Sequence, residues 1–231
     1  MRILLAMLSM IVIFTSGCAG IQNKVSKGEL YPEMYREMPK TILVLPAVNH
    51  STAADAPHLY SSTVAQPLAN AGFYVLSTEV TKNFLANEGL FSGEQLSAVP
   101  PQKFGEAFGA DAVLYVTIEK WDSKYYVLGG NVTVGISYRL KSTKSGSELW
   151  VYANEVVLDT SGDSNNSGGL LGAIIATAIK TATQDYVPIA RRVNNLALNN
   201  IPFGGYHKLY NKDDKTLVVV PKDKLNSKDV Q

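Results

Sequence analysis

One cysteine in 231 residues, Cys18, rules out an intramolecular disulfide. Histidine is almost as scarce: His50, His58 and His207 are too scattered for a zinc site, and neither an HExxH run nor paired cysteines occur, so no metal is expected. Charge of one sign is also missing. The 21 Lys and Arg oppose 20 Asp and Glu, a formal net charge of +1, so no long-range field gathers nucleic acid or anionic lipid, and nucleic acid is not an expected partner. The apolar run at the amino end, Ile3 to Phe14, falls short of the roughly 20 residues that span a bilayer. Internal repeats and heptad arrays are absent as well.

Catalytic signatures are equally thin. There is no GxSxG elbow, and the "NHS" at 49 to 51 places His50 on a loop after a strand, where an ordinary polar loop residue is the plainer reading. The glycines of "SGDSNNSGGLLG" lack the lysine of a phosphate cradle and do not open a βαβ unit. Asp111, Glu119, Asp122 and Glu148 lie near strand ends and read as solvated turn charges. No catalytic residue and no cofactor is expected.

What is present at the amino end is a secretion signal. Met1-Arg2 is a short basic start, Ile3 to Phe14 match a secretory h-region, and Thr15, Ser16 and Gly17 are the small residues a signal peptidase admits. The stretch "FTSGCAG" resembles the bacterial lipobox, whose cysteine is diacylated and becomes the new N-terminus; Thr15 stands where that pattern usually has Leu. On this resemblance Cys18 is the lipidation site. At about 0.8 kcal/mol per buried methylene, two or three acyl chains make a stable anchor. The alternative is a plain signal peptide whose removal leaves a free thiol. Ala19 stands where an inner-membrane retention signal has Asp, which implies the periplasmic face of the outer membrane as destination.

The rest of the chain divides into a lipidated N-terminus and tether at 18–39, following the signal peptide at 1–17, an α/β domain at 40–200 and a C-terminal extension at 201–231. A tether of about 20 residues at coil dimensions reaches about 25 Å; Tyr31, Met34, Tyr35 and Met38 in it offer docking side chains. "TILVLPAVN" reads as a central strand, residues 56–72 as a helix that Pro67 kinks and Gly72 stops, and "FYVLS" as a second strand parallel to the first. Helices follow at 78–87, with Val80, Phe84 and Leu85 facing inward, and at 101–108. Three strands at 111–121, 124–143 and 147–159 are joined by hairpin turns at "WDSKY" and "KSGSE", with a bulge or bend at Gly129-Gly130 or Gly135. A long helical segment interrupted near Pro188 places Val187, Ala190, Val193 and Ala197 on one face, and 216–220 is a last strand. The fold class is therefore α/β: a mixed sheet with a βαβ start, antiparallel strands, and helices packed on the sheet.

One stretch lacks a polar face. From Leu170 to Ile179 only Thr177 is polar, and Gly168, Gly172 and Ala176 recur every four residues as a ridge on which another backbone can approach. Either this helix is wholly buried in its own domain, or Leu170, Leu171, Gly172, Ile174, Ile175, Ala176 and Ile179 form a subunit or partner interface.

In order along the chain, "TILVLPAVNHST", "AQPLANAGFYVLS", "FGADAVLYVTIEKW", "GGLLGAIIATAI" and "NNIPFGGYHKLYNKD" look like a family of bacterial outer-membrane lipoproteins that includes neisserial vaccine-candidate antigens. That family is similar in fold to the N-terminal domain of TolB and to the periplasmic domain of the curli-secretion lipoprotein CsgG, and its members are typically encoded beside a CsgG-like lipoprotein. The resemblance implies a non-enzymatic role in an envelope transport or secretion assembly, with a CsgG-like partner; a homo-oligomer is expected through the apolar segment. The second reading is a regulatory lipoprotein that contacts peptidoglycan synthesis enzymes. The third, a hydrolase, requires a pocket that joins His50 or His58 to two carboxylates.

Overall fold

The computed structural model describes residues 24–126, 129–159 and 186–220. The chain enters through β1 (Lys24–Ser26), α1 (Lys27–Leu30) and α2 (Pro32–Glu37). The tether expected over 18–39 is thus folded from Lys24 onward. Tyr31 and Met34 are each 3% exposed and belong to the main core, and the Tyr31 hydroxyl donates to the Val151 carbonyl. Tyr31 and Met34, named from the sequence as docking side chains, are thus the residues that anchor this segment to the core.

β2 (Thr41–Val44) and β3 (Val48–Asn49) run in succession along one neighbour, interrupted at Leu45-Pro46-Ala47, where proline removes a ladder donor. α3 (Ala56–Asn70) continues through Pro67, which lies in its last turn, and ends before Gly72, whose φ of 89° only glycine adopts freely. β4 (Tyr74–Val75) pairs parallel to β2, which completes the βαβ start read from the sequence. α4 (Thr78–Asn87) is capped by Ser77, and α5 (Gly93–Ser97) carries a capping box of Ser92 and Gln95. α4 differs from expectation on its apolar face: Leu85 is buried, but Val80 is 68% and Phe84 45% exposed. The helix buries only a narrow stripe of Thr81 and Leu85, and Phe84 lies edge-on to Phe108 at the surface.

α6 (Pro101–Phe108), stopped by Gly109 in the left-handed region, leads into β5 (Ala112–Tyr126), β6 (Gly129–Ser142) and β7 (Glu148–Asp159). These three form an antiparallel meander, and β5 also pairs parallel to β2 and β3. The hairpin placed at "WDSKY" falls later: β5 runs through it, and Tyr126 pairs with Gly129. One bulge is in β5, where Glu119 is the extra residue between Ile118, opposite Ile136, and Lys120, opposite Gly135, and a second register shift lies between Leu140 and Lys141 against β7. A Cβ on Gly135 would stand 3.2 Å from that of Lys120, so the missing side chain lets the bulged strand close in.

The six-stranded sheet has the order β4-β2-β5-β6-β7, with β3 on β5. Alternation splits its two faces. Ile42, Val44, Leu114 and Ile118 join α3 in the larger core, whereas Leu43, Leu45 and Val113 join Leu85, Leu96 and Phe104 of α4, α5 and α6 in the smaller. Each such fully buried aliphatic contributes about 1.5–3 kcal/mol.

α7 (Val187–Leu198) starts at its proline: Pro188 sits in the first turn, where its missing N–H costs nothing; the part of the expected helical segment before residue 186 lies outside the described residues. α7 packs on α3 through a buried polar link. Tyr138 donates to Asn194 Oδ1, and Asn194 Nδ2 donates to Thr63 Oγ1 at 2.8 Å. Residues 201–216 then fold back over the α3–β4 turn, with Gly204 and Tyr206 N–H donating to the carbonyls of Ala71 and Gly72. β8 (Leu217–Val219), the last strand expected from the sequence, pairs antiparallel with β1. No helix among the described residues is long and apolar enough to cross a membrane.

Candidate functional site

Cys18 and the apolar segment Leu170, Leu171, Gly172, Ile174, Ile175, Ala176 and Ile179 lie outside the described residues. Two other features of the described structure bear on function, and neither was read from the sequence.

The first is a clamp that ties the two ends of the chain together. Lys27, in the first turn of α1, is 3% exposed, and its ammonium donates to Asp213 Oδ2 at 2.9 Å and to the Ile201 carbonyl at 3.0 Å. The same Nζ stands 4.8 Å from the centroid of the Phe203 ring, whose plane stacks on His207 at 3.7 Å. Asp213, 4% exposed, also accepts from the Tyr35 hydroxyl at 3.0 Å and from Phe203 N–H at 3.2 Å. Burial, followed by the nearby Asp213 charge, pushes the Tyr35 phenol well above its ordinary range, so it stays a donor. Backbone bonds from Lys27 N–H to Thr216 and from Gly28 N–H to Asp214 extend the seam to the β1–β8 pair. One lysine and one aspartate 186 residues apart carry no local spacing signal, which is why the pair was not legible.

The second feature is a crevice of about 340 Å³ at the carboxyl ends of the parallel strands β2 and β4. From these ends the chain leaves for opposite faces of the sheet, to α3 on one side and to α4 on the other, and the divergence leaves a gap. Its floor is Val44–Ala47, and its walls include His58 and Ser61 of α3, Glu79 and Lys82 of α4, Phe91 just before α5 and Glu94 in its first turn. Gly93 closes one wall against the floor: a Cβ there would lie 2.5 Å from the Ala47 carbonyl carbon and the Val48 nitrogen. The Glu94 carboxylate accepts from its own N–H, from the Ser92 hydroxyl and from Asn49 N–H, which with the His50 charge hold it below the ordinary carboxylate range. His50 itself pairs with Glu119 at 3.0 Å, the side chain re-aimed by the β5 bulge.

This crevice brings His58 together with two carboxylates, Glu79 and Glu94, as the hydrolase reading requires. Two of the neighbouring hydroxyls are turned elsewhere. Ser61 donates to the Pro57 carbonyl at 2.8 Å and Ser51 to Asn49 Oδ1 at 2.7 Å, so neither presents its proton to an imidazole. Among the described residues no group of three or more His, Cys, Asp or Glu is placed to hold a metal. The remaining carboxylates named in the sequence are structural or solvated: Asp111 accepts from Lys40 and Thr41 N–H at 2.9 Å and fixes the start of β2, Glu148 faces Arg139 at 3.5 Å, and Asp122 faces Lys120 at 3.9 Å.

Comparison with known proteins places this arrangement among lipoproteins. A family model described as "Putative lipoprotein GNA1162-like" matches residues 30–203. "Putative lipoprotein NMB1124/NMB1162" of Neisseria meningitidis serogroup B is 29% identical over 171 residues, which are 74% of this chain and 78% of that protein. The crystal structure of lipoprotein GNA1162 from Neisseria meningitidis is similar at a TM-score of 0.50 and 32% identity, over 61% of this chain and 95% of that one. A PelC dodecamer from Paraburkholderia phytofirmans aligns at a TM-score of 0.37 and 18% identity, over 61% of this chain and 86% of that one. Lys27 and Asp213, the two charges of the clamp, both fall outside the residues the family model matches.

Proposed function

Because the chain belongs to the GNA1162-like lipoprotein family, we propose that it is a periplasmic module held at the outer membrane by acyl chains on Cys18 and acting by protein association, without catalysis, in an envelope transport or secretion assembly. In this reading a CsgG-like lipoprotein is its partner and the segment Leu170 to Ile179 its interface in a homo-oligomer. The observation that carries the proposal is the clamp. β1, α1 and the buried Lys27–Asp213 pair fix the chain from Lys24 onward, so only the steps from Cys18 to Lys24 separate lipid from domain. Fully extended, they reach roughly 20 Å.

So short a leash keeps the domain against the membrane and favours a membrane-level assembly over the regulatory reading, which needs reach toward peptidoglycan synthesis enzymes. The experiment is labelling with radioactive palmitate, followed by crosslinking through a photoreactive residue at Ile175 and mass spectrometry. Label that is lost in Cys18→Ser, with self-crosslinks or crosslinks to a CsgG-like lipoprotein, supports the proposal. Unchanged membrane attachment in Cys18→Ser overturns the anchor, and crosslinks to a peptidoglycan synthase move the assignment to the second reading. A 20-residue Gly/Ser insertion after Asn23 separates the two again, since it impairs an assembly at membrane level and leaves a reaching regulator intact.

A further inference from the structure

We propose that the crevice at the carboxyl ends of β2 and β4 is a docking site for an extended segment of a partner protein, which lays an apolar side chain over Val44–Ala47 and sets a neighbouring lysine or arginine against Glu79 and Glu94. This rests on the association reading and involves residues other than Leu170 to Ile179.

Topology supplies the first argument. In open α/β sheets the gap where consecutive connections diverge to opposite faces is where ligands are bound, and the parallel strands here diverge in that way. Its volume of about 340 Å³ accommodates one large side chain with its flanking backbone, at the lower end of the roughly 300–1,000 Å³ of binding pockets.

Chemistry narrows the occupant. The floor is apolar, from Val44 through Ala47, while the lining also includes Phe91, which is 71% exposed. Aromatic groups left exposed beside a cleft are the anchors that interfaces bury. Two carboxylates line the crevice against one lysine, Lys82, and a third carboxylate, Glu119, holds His50 next to Asn49 of the lining. An apolar residue beside a cation satisfies both the floor and this acidic excess, whereas an acidic segment meets Glu79 and Glu94 with like charge.

Rigidity is the third argument. The Gly93 contact with Ala47 and Val48, the Ser92–Gln95 capping box and the Asn49–Ser51–Ala53 side-chain bonds fix the walls before anything binds, so little ordering cost falls on the complex.

The test uses the full-length lipidated protein in detergent with two capped photoreactive tripeptides, Lys-benzoylphenylalanine-Lys and Glu-benzoylphenylalanine-Glu, and reads the labelled positions by mass spectrometry. The lysine peptide is expected to label residues 44–49, 57–61, 78–82 and 91–94 at least tenfold more than the glutamate peptide. His58→Trp, which fills the crevice from an exposed position, should remove that labelling with the thermal midpoint unchanged, and Glu79→Lys with Glu94→Gln should reverse the preference. Equal labelling by both peptides, labelling scattered over the surface, or labelling that survives His58→Trp overturns the proposal. If Ile175 still crosslinks a partner in the envelope while the crevice stays unlabelled, this site fails and the association reading stands.

Discussion

Replacing Lys27 by methionine keeps an unbranched apolar stem, one atom shorter, and removes the ammonium with its charge and its bonds to Asp213 and the Ile201 carbonyl, so it reads what that group does at the root of the domain. Lys27 and Asp213 have side chains 4% and 3% exposed, and their 2.9 Å contact is shielded from solvent. With Lys27→Met, Asp213 keeps its bonds from Tyr35 and Phe203 but loses its counter-charge, and a buried charge stripped of its partner costs about 3–5 kcal/mol. That is a large share of the roughly 5–15 kcal/mol by which domains are stable. Lys27→Met combined with Asp213→Asn restores neutrality while an amide oxygen still accepts, so the double variant should lose about 2–3 kcal/mol less than the sum of the singles. Urea unfolding of the chain from residue 18, carrying Cys18→Ser, reads this through the fluorescence of its two tryptophans. Amide exchange at Lys27 and Gly28 reports in parallel whether the seam to Thr216 and Asp214 opens first. A loss below about 1 kcal/mol in Lys27→Met would refute the reasoning, because a pair that weak behaves as a solvated surface ion pair.

Asn194→Ala should cost about 2–3 kcal/mol in the same urea assay, since it leaves the buried Tyr138 hydroxyl without its acceptor; restoring Tyr138→Phe in that background should recover part of the loss. Gly72→Ala should cost about 2–3 kcal/mol, because its φ is 89° and a Cβ would lie 2.4 Å from the His207 nitrogen; Gly89→Ala, at a φ of 78° with open space around it, should cost about 1 kcal/mol. Burial raises the Tyr115 phenol to about 12 and those of Tyr35, Tyr60 and Tyr138 higher still. The folded state then holds protons that the unfolded chain releases near pH 10, so stability falls as pH rises past 10. Phenolate absorbance from these four should develop together with loss of near-ultraviolet ellipticity; titration at pH 10 in a chain that keeps its ellipticity would exclude the buried packing.

Elements whose cause is local were legible in the sequence. The alternation from Val113 to Ile118, the β-branched run at 41–44 and the glycine stop at Gly72 state their structures within a few residues, and the parallel pairing of the βαβ start followed from them. The helix at 78–87 shows the limit of that logic. Its ends were read correctly, but Val80 and Phe84 were placed inside because periodicity reports which residues share a face, not how wide a stripe the sheet covers. The N-terminal segment failed for the opposite reason. Its stabilisation comes from Asp213, Thr216 and Val219, near the other end of the chain, and no window of sequence contains both partners.

The same non-locality explains why the clamp and the crevice carry functional meaning that motifs did not. Lys27 in isolation is a tether lysine, and Glu94 a helix-start carboxylate; closure of the chain gives the first a buried counter-charge and the second a shared wall with His58. In the proposed reading, with acyl chains on Cys18, closure would also change the mechanics of the anchor. A 20-residue tether at coil dimensions would let a domain swing through about 25 Å, whereas five residues, 19–23, at the same dimensions would reach only about 13 Å, less than the radius of gyration of about 15 Å of a domain this size. A body wider than such a leash would be held close to whatever its lipid enters, and partners would meet it at a restricted set of orientations. Under that anchor, loss of the Lys27–Asp213 pair would act twice, lowering stability and releasing up to 14 further residues, 24–37, into the leash.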